Sequence, residues 1–323
     1  MDAANSEWQD YLSQRNAEMY SVFDFDGYHI DQLGDWGTKY KYTGQSINIA
    51  ETFPPFIASM KTADPDKRLV FNAVNQFGQG NVGTSTVDFL YTEVWDPNVN
   101  YQDLTKIISD NRSYSSQTKN TVLAAYMNYD LANNSGSFKT PSILFADAVI
   151  FAFGGSHLEL GEHMLAREYF PNANLQMPDV LKKNLVYYYD FLVAYENLLR
   201  DGGTLNTLAL SNPTHQVNLK SWPPQTGSVA FVGKEAANKQ ILHFFNFTTN
   251  TLDWRDAAGV KTTPGIIEDI SITCPVTRNI TKVWFASPDV NFGCPMELDF
   301  EVSGGSVSFT IPSLRYWSMI VLE

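Results

Sequence analysis

Two acidic side chains close strand-like segments and open into loops. Residues 23–37 read FDFDGYHIDQLGDWG and contain Asp31; residues 87–97 read VDFLYTEVWDP and contain Glu93. Two carboxylates at the ends of neighbouring strands, ringed by Tyr and Trp, have the chemistry to cut a glycosidic bond. One must be ionised to attack the anomeric carbon. The other must hold a proton for the leaving oxygen and then lose it to activate water. Retention of configuration requires the two carboxyl groups about 5–5.5 Å apart. The bland readings are an Asp that caps its loop and a Glu in a salt bridge inside the sheet; the pattern alone leaves both open.

The strand period of two groups other candidates with this pair. Phe23, Phe25, Gly27, His29 and Asp31 share one face, and Phe89, Tyr91, Glu93 and Trp95 share another. His29 could donate to a sugar hydroxyl or to Asp31, or be a satisfied buried histidine. Asp35 and Trp36 fall in the following loop, where Trp36 could stack on a sugar ring or pack as a lid. Asn75 and Gln76 end another strand and could bind substrate or stabilise the turn. His157 and Glu159 alternate onto one face near the end of a further strand, where substrate hydroxyls are the expected partners. With Glu162 and His163 they form HLELGEH, whose spacing is not HExxH, so no metal is expected. Asp88 and Asp96 read as structural. GQGNVG (78–83) lacks the Lys-Ser or Lys-Thr of a phosphate loop, and no GxSxG elbow is present.

The elements that must position these groups alternate. Strands are expected near 22–31, 68–75, 87–95, 122–130 and 154–162. Helices are expected over 6–20 with Ser6 as cap, 46–63 interrupted by Pro54 and Pro55, 100–119, 142–153 and 179–201, the last stopped by Gly202–Gly203. Five consecutive β-α units imply parallel pairing. After about residue 218 and a Trp-Pro-Pro linker (222–224), short alternating segments with Gly, Pro and Asn turns predict an antiparallel β-sandwich over 225–323.

Apolar residues at 44 % and charged ones at 18 % describe a globular chain of 323 residues. A net charge of −13 disfavours nucleic acid and anionic membranes, both polyanions, but not a neutral polysaccharide. No apolar run reaches the length of a membrane span, and the N-terminal residues do not form a signal peptide. Cys274 and Cys294 could form one disulfide or stay as two thiols.

FDGYHIDQLGDWG, FNAVNQFG, FLYTEVWDP, FADAVIFAFGGSHLELGEHMLAREYFPN and YYYDFLVAYENLLRD, in that order, resemble glycoside hydrolase family 66, which contains endo-dextranases and cycloisomaltooligosaccharide glucanotransferases. The resemblance implies a retaining enzyme on α-1,6-glucan, with Asp31 as nucleophile and Glu93 as acid/base. It implies no cofactor and an extracellular or periplasmic location. It also implies an α/β fold, a (β/α)8 TIM-type barrel in residues 1–218, of which this chain carries strands four to eight and lacks the first three. The open edges of such a barrel would favour self-association. The sugar-binding module that the glucanotransferases insert late in the barrel has no counterpart between 122 and 202, which points to a hydrolase.

Overall fold

A computed structural model describes residues 2–31, 34–158, 166–168 and 172–323. The chain forms two compact units. The first comprises residues 1–98, 106–125 and 155–158, and the second 99–105, 126–154 and 159–323.

The first unit is built on a parallel sheet of five strands, each beside the next in chain order: β1 (Gly27–Ile30), β2 (Arg68–Asn72), β3 (Phe89–Glu93), β4 (Thr121–Ala124) and β5 (Gly155–His157). These are the five strands expected, but β1 is shorter than its apolar pattern suggests. Helix α1 (Ser6–Val22) continues to Val22, and Phe23 closes it by donating its N–H to the Met19 carbonyl at 2.9 Å. Phe23 and Phe25 consequently stand outside the sheet, 55 % and 49 % exposed. The cap of α1 is Asn5 rather than Ser6, because the Asn5 side chain accepts the Trp8 N–H at 2.9 Å. At Gly27 a Cβ would lie 2.1 Å from the Arg68 carbonyl oxygen, so β1 meets β2 at a point where only glycine fits.

Pro54 and Pro55 open helix α2 (Phe53–Ala63) instead of interrupting one, since they occupy the first turn, where N–H groups lack helical partners anyway. Most of the GQGNVG stretch folds into a short helix, Gln79–Gly83. One face of the sheet (Ile30, Leu69, Phe71, Leu90) packs with Phe53, Phe56, Ile57 and Met60 of α2. Residues of alternate parity, which include His29, Asp31, Tyr91 and Glu93, therefore face the other way.

The second unit contains helix α3 (Thr140–Ala152), buried at every position from Pro141 to Ala152, and helix α4 (Asp179–Ala194). The expected strand 122–130 stops at Ala124, and its residues from Tyr126 on belong to this unit. The segments after residue 200 form a seven-stranded and a three-stranded sheet. Both sheets feed one apolar core, with Val229, Phe231, Leu242, Phe244 and Ile320 from the first and Ile270, Ile272, Phe309 and Ile311 from the second. Pairing is antiparallel apart from Leu219–Ser221, which runs parallel to Ser228–Ala236. The Trp-Pro-Pro segment is not a free linker. The Trp222 indole packs on Phe153 and Phe245, with centroids at 4.7 and 5.5 Å, and donates to Thr105 Oγ1 at 3.2 Å. Cys274 is buried, Cys294 is exposed, and both are free thiols. Among the described residues no helix is long and apolar enough to cross a membrane.

Candidate active site

The register Ile30↔Phe71 brings the next residue of each strand, Asp31 and Asn72, side by side, and Asn72 pairs in turn with Tyr91 on β3. The Asn72 Nδ2 group donates to Asp31 Oδ1 at 2.9 Å and to Glu93 Oε2 at 2.9 Å. The two acceptor oxygens are thus no further apart than twice that length. With the two N–H bonds of a planar amide about 120° apart, straight hydrogen bonds would set them about 5 Å apart. Asp31 and Glu93 therefore converge on one side of the sheet, bridged by one amide.

Tyr91 borders the pair. Its burial, and secondarily the charges of Glu93 and Asp31, push its hydroxyl well above the ordinary tyrosine value, so Tyr91 stays an O–H donor. The His29 ring leans on Tyr91 at 5.1 Å between centroids. Partial burial lowers the His29 pKa, and the carboxylates of Asp31 and Glu93 pull it back up. Beneath β3 runs a buried polar chain: Gln76 Nε2 donates to Asn111 Oδ1 at 3.0 Å, and Asn111 Nδ2 donates to Thr92 Oγ1 at 3.1 Å. It fixes the strand from the face opposite Glu93.

The remaining expected site residues divide. Asp35 accepts the Gly37 N–H at 2.8 Å within an exposed turn. Trp36 is 62 % exposed, with Lys39 Nζ 5.6 Å from its ring centre, so it is not a lid packed on the sheet. Asn75 is a turn stabiliser. Its Oδ1 accepts from the Trp95 N–H at 3.0 Å and from Asn98 Nδ2 at 2.8 Å, and its Nδ2 donates to the Asp96 carbonyl at 2.7 Å. Those bonds hold the loop that carries Trp95. Asp88 is structural, as expected, accepting the Leu69 N–H at 2.7 Å.

His157 is a correction. It pairs with Leu123, and Leu123 with Thr92, so it shares the face of Thr92, not that of Glu93. It is 5 % exposed, with Nε2 3.1 Å from the Ala125 carbonyl oxygen. Glu159, Glu162 and His163 lie outside the described residues. Among the described residues no cluster of His, Cys, Asp and Glu could hold a metal ion. Asn72 is the residue that sequence reasoning passed over. Its place is set by pairing with both neighbouring strands, which no single strand displays.

A parallel sheet ending in two carboxylates that share one amide donor has the layout of the glycoside hydrolase class. The chain belongs to glycosyl hydrolase family 66, which it matches over residues 1–321. It is similar to a cycloisomaltooligosaccharide glucanotransferase of Niallia circulans, 26 % identical over 463 aligned positions that take in 100 % of this chain and 48 % of that protein. It is also similar to a dextranase of Streptococcus salivarius, 22 % identical over 383 positions, with 100 % and 46 % covered. Among solved structures, a Paenibacillus cycloisomaltooligosaccharide glucanotransferase complexed with cycloisomaltoheptaose superposes with a TM-score of 0.89 at 24 % identity, over 99 % of this chain and 66 % of that one. This chain spans about half the length of the curated relatives it matches.

Proposed function

We propose that the chain carries the catalytic centre of a retaining, endo-acting glycoside hydrolase that cleaves α-1,6 bonds of a dextran-like glucan. The observation that carries this reading is the shared Asn72 amide, which donates to both Asp31 and Glu93 at 2.9 Å and so brings the two carboxylates that this chemistry needs to one place. In the first step Asp31 attacks the anomeric carbon. The glycosidic C–O bond breaks, and the Glu93 proton passes to the leaving oxygen. In the second step water attacks the glucosyl–Asp31 ester and gives its proton to Glu93, while the ester bond breaks and Asp31 regains its charge. Every atom and proton in the cycle comes from substrate, water and these two side chains. His29, Tyr91, Trp95 and Trp36 supply polar and aromatic contacts to the sugar. The five strands correspond to strands four to eight of a (β/α)8 barrel, the two later sheets form a β-sandwich, and the protein acts outside the cytoplasm.

A transferring reading uses the same residues. It is favoured by the higher identity to the glucanotransferase, 26 % against 22 % for the dextranase. Against it, the glucanotransferase alignment needs 140 more positions than this chain's 323 residues, and the dextranase alignment 60 more. That difference supports hydrolysis, since it fits the absence of a large insertion. A glucan-binding but non-catalytic fragment is the remaining alternative. Incubation with dextran separates all three. New reducing ends without rings support hydrolysis, while cyclic or lengthened products support transfer. Binding without product, unchanged in Asp31→Asn, supports the fragment.

A further inference from the structure

A cavity of about 330 Å³ lies within the second unit, and none of its lining residues belongs to the first. Small-molecule sites run from about 300 Å³ upward and combine apolar walls with a few convergent polar groups. The apolar wall here comes from Phe138, Leu144 of α3 and Tyr316, each at most 3 % exposed. The polar groups carry both signs. Lys139 and Arg315 line the cavity, and neither makes an ion pair among the described residues. Asp289 supplies a carboxylate fixed by three donors: the Tyr188 hydroxyl at 3.0 Å and the N–H groups of Tyr316 and Trp317 at 2.9 and 3.1 Å. A carboxylate has about four acceptor sites, so one remains. Asn184 of α4 donates through Nδ2 to the Val180 carbonyl at 2.6 Å, and its Oδ1 accepts from no described residue.

This mixture selects a ligand. An anion would face Asp289 and the Asn184 carbonyl, and a cation would face Lys139 and Arg315. A hydroxyl both donates and accepts, so a neutral polyol suits every group, while its C–H groups bury against the apolar wall. We propose that the cavity is a second, non-catalytic sugar site that takes glucosyl units of the glucan. The choice of sugar rests on the proposed glucan chemistry. The site keeps the polymer on the protein, so it acts on KM for dextran and not on kcat.

The test follows backbone amide resonances of Asp31→Asn, chosen to stop turnover, as isomaltotriose is added. Resonances of Thr140, Asn184 and Tyr316 should shift together and saturate. Adding Arg315→Ala removes hydrogen bonds from a charged group, so those shifts should need about tenfold more sugar, while shifts of Tyr91 and Val94 keep their midpoint. Arg315 is exposed, so its loss leaves the fold intact. Val180→Trp, also at an exposed position, obstructs the same cavity and should act alike. In otherwise unaltered protein, Arg315→Ala should raise KM for dextran and leave kcat unchanged. Cavity resonances that stay still, or a midpoint that neither variant moves, would overturn the proposal. So would shifts there with sodium phosphate and none with isomaltotriose, which mark an anion site. Movement in the cavity without movement at Tyr91 and Val94 would count against the hydrolase reading and support the sugar site. Movement at Tyr91 and Val94 alone would support that reading and overturn the site.

Discussion

Replacing Glu93 by Gln removes a proton and little else. Asn72 can still donate, because the new amide presents an oxygen where Glu93 Oε2 accepts at 2.9 Å. The geometry of Asp31 is untouched by the change, since its own bond to Asn72 does not involve Glu93. The loss should therefore be that of general acid–base assistance alone, about 10²–10⁴-fold, or roughly 3–5 kcal/mol of barrier. The leaving group decides where it appears. On dextran the departing sugar alkoxide needs the proton, and the whole loss falls on kcat. On a nitrophenyl α-isomaltoside the phenolate leaves unaided, so the first step survives and the glucosyl–Asp31 ester accumulates as a burst. Azide needs no general base, so added azide should restore turnover and yield a glucosyl azide of retained α configuration. Dextran activity within tenfold of wild type would refute the assignment of Glu93. A β-glucosyl azide would refute it differently, by making Glu93 the nucleophile.

Two further outcomes follow from burial. His243 is fully enclosed, accepts the Trp317 indole N–H at 3.2 Å through Nδ1, and is held down to a pKa of about 3 by burial and then by Lys234. The unfolded chain takes up a proton near pH 6.5 that the fold refuses. Stability should thus be full above that pH and fall between about 6.5 and about 3, with a slope of up to about 1.4 kcal/mol per pH unit from this group; urea midpoints at pH 7.5 and 5.5 that show no such loss, or the same loss in His243→Asn, would contradict this. Cys294 is exposed, whereas Cys274 is buried and its thiol is pushed up to about 11 by burial; an aromatic disulfide reagent at pH 8 should modify one thiol in the native protein and two in guanidinium, and two fast native reactions would show that the core around Cys274 opens.

The alternation of strand and helix was legible because both periodicities are strong and the strands are short apolar runs. Asp31 and Glu93 were legible because each is a charge ending such a run. What failed depends on neighbours. Nothing local to residues 22–26 shows that α1 continues to Val22, nor that a carbonyl of Arg68 fixes where β1 begins. Alternation along 155–159 shows which residues share a face but not which face meets the site. The pairing of His157 with Leu123 decides that, and it turns His157 toward the helices. Asn72 was missed for the same reason: its value lies in a register across three strands, and a single strand does not display it. The Trp-Pro-Pro segment looked like a linker by composition, yet Trp222 packs against Phe153, some seventy residues earlier in the chain.

The central claim is that Asp31 bonds to the sugar while Glu93 moves the proton. Its most direct test is mass spectrometry of peptides from Glu93→Gln quenched during turnover of the nitrophenyl α-isomaltoside. A glycosyl adduct on the peptide containing Asp31, absent from the double variant with Asp31→Asn, is the expected result. An adduct on any other residue, or a full burst of nitrophenol with no adduct at all, would contradict it.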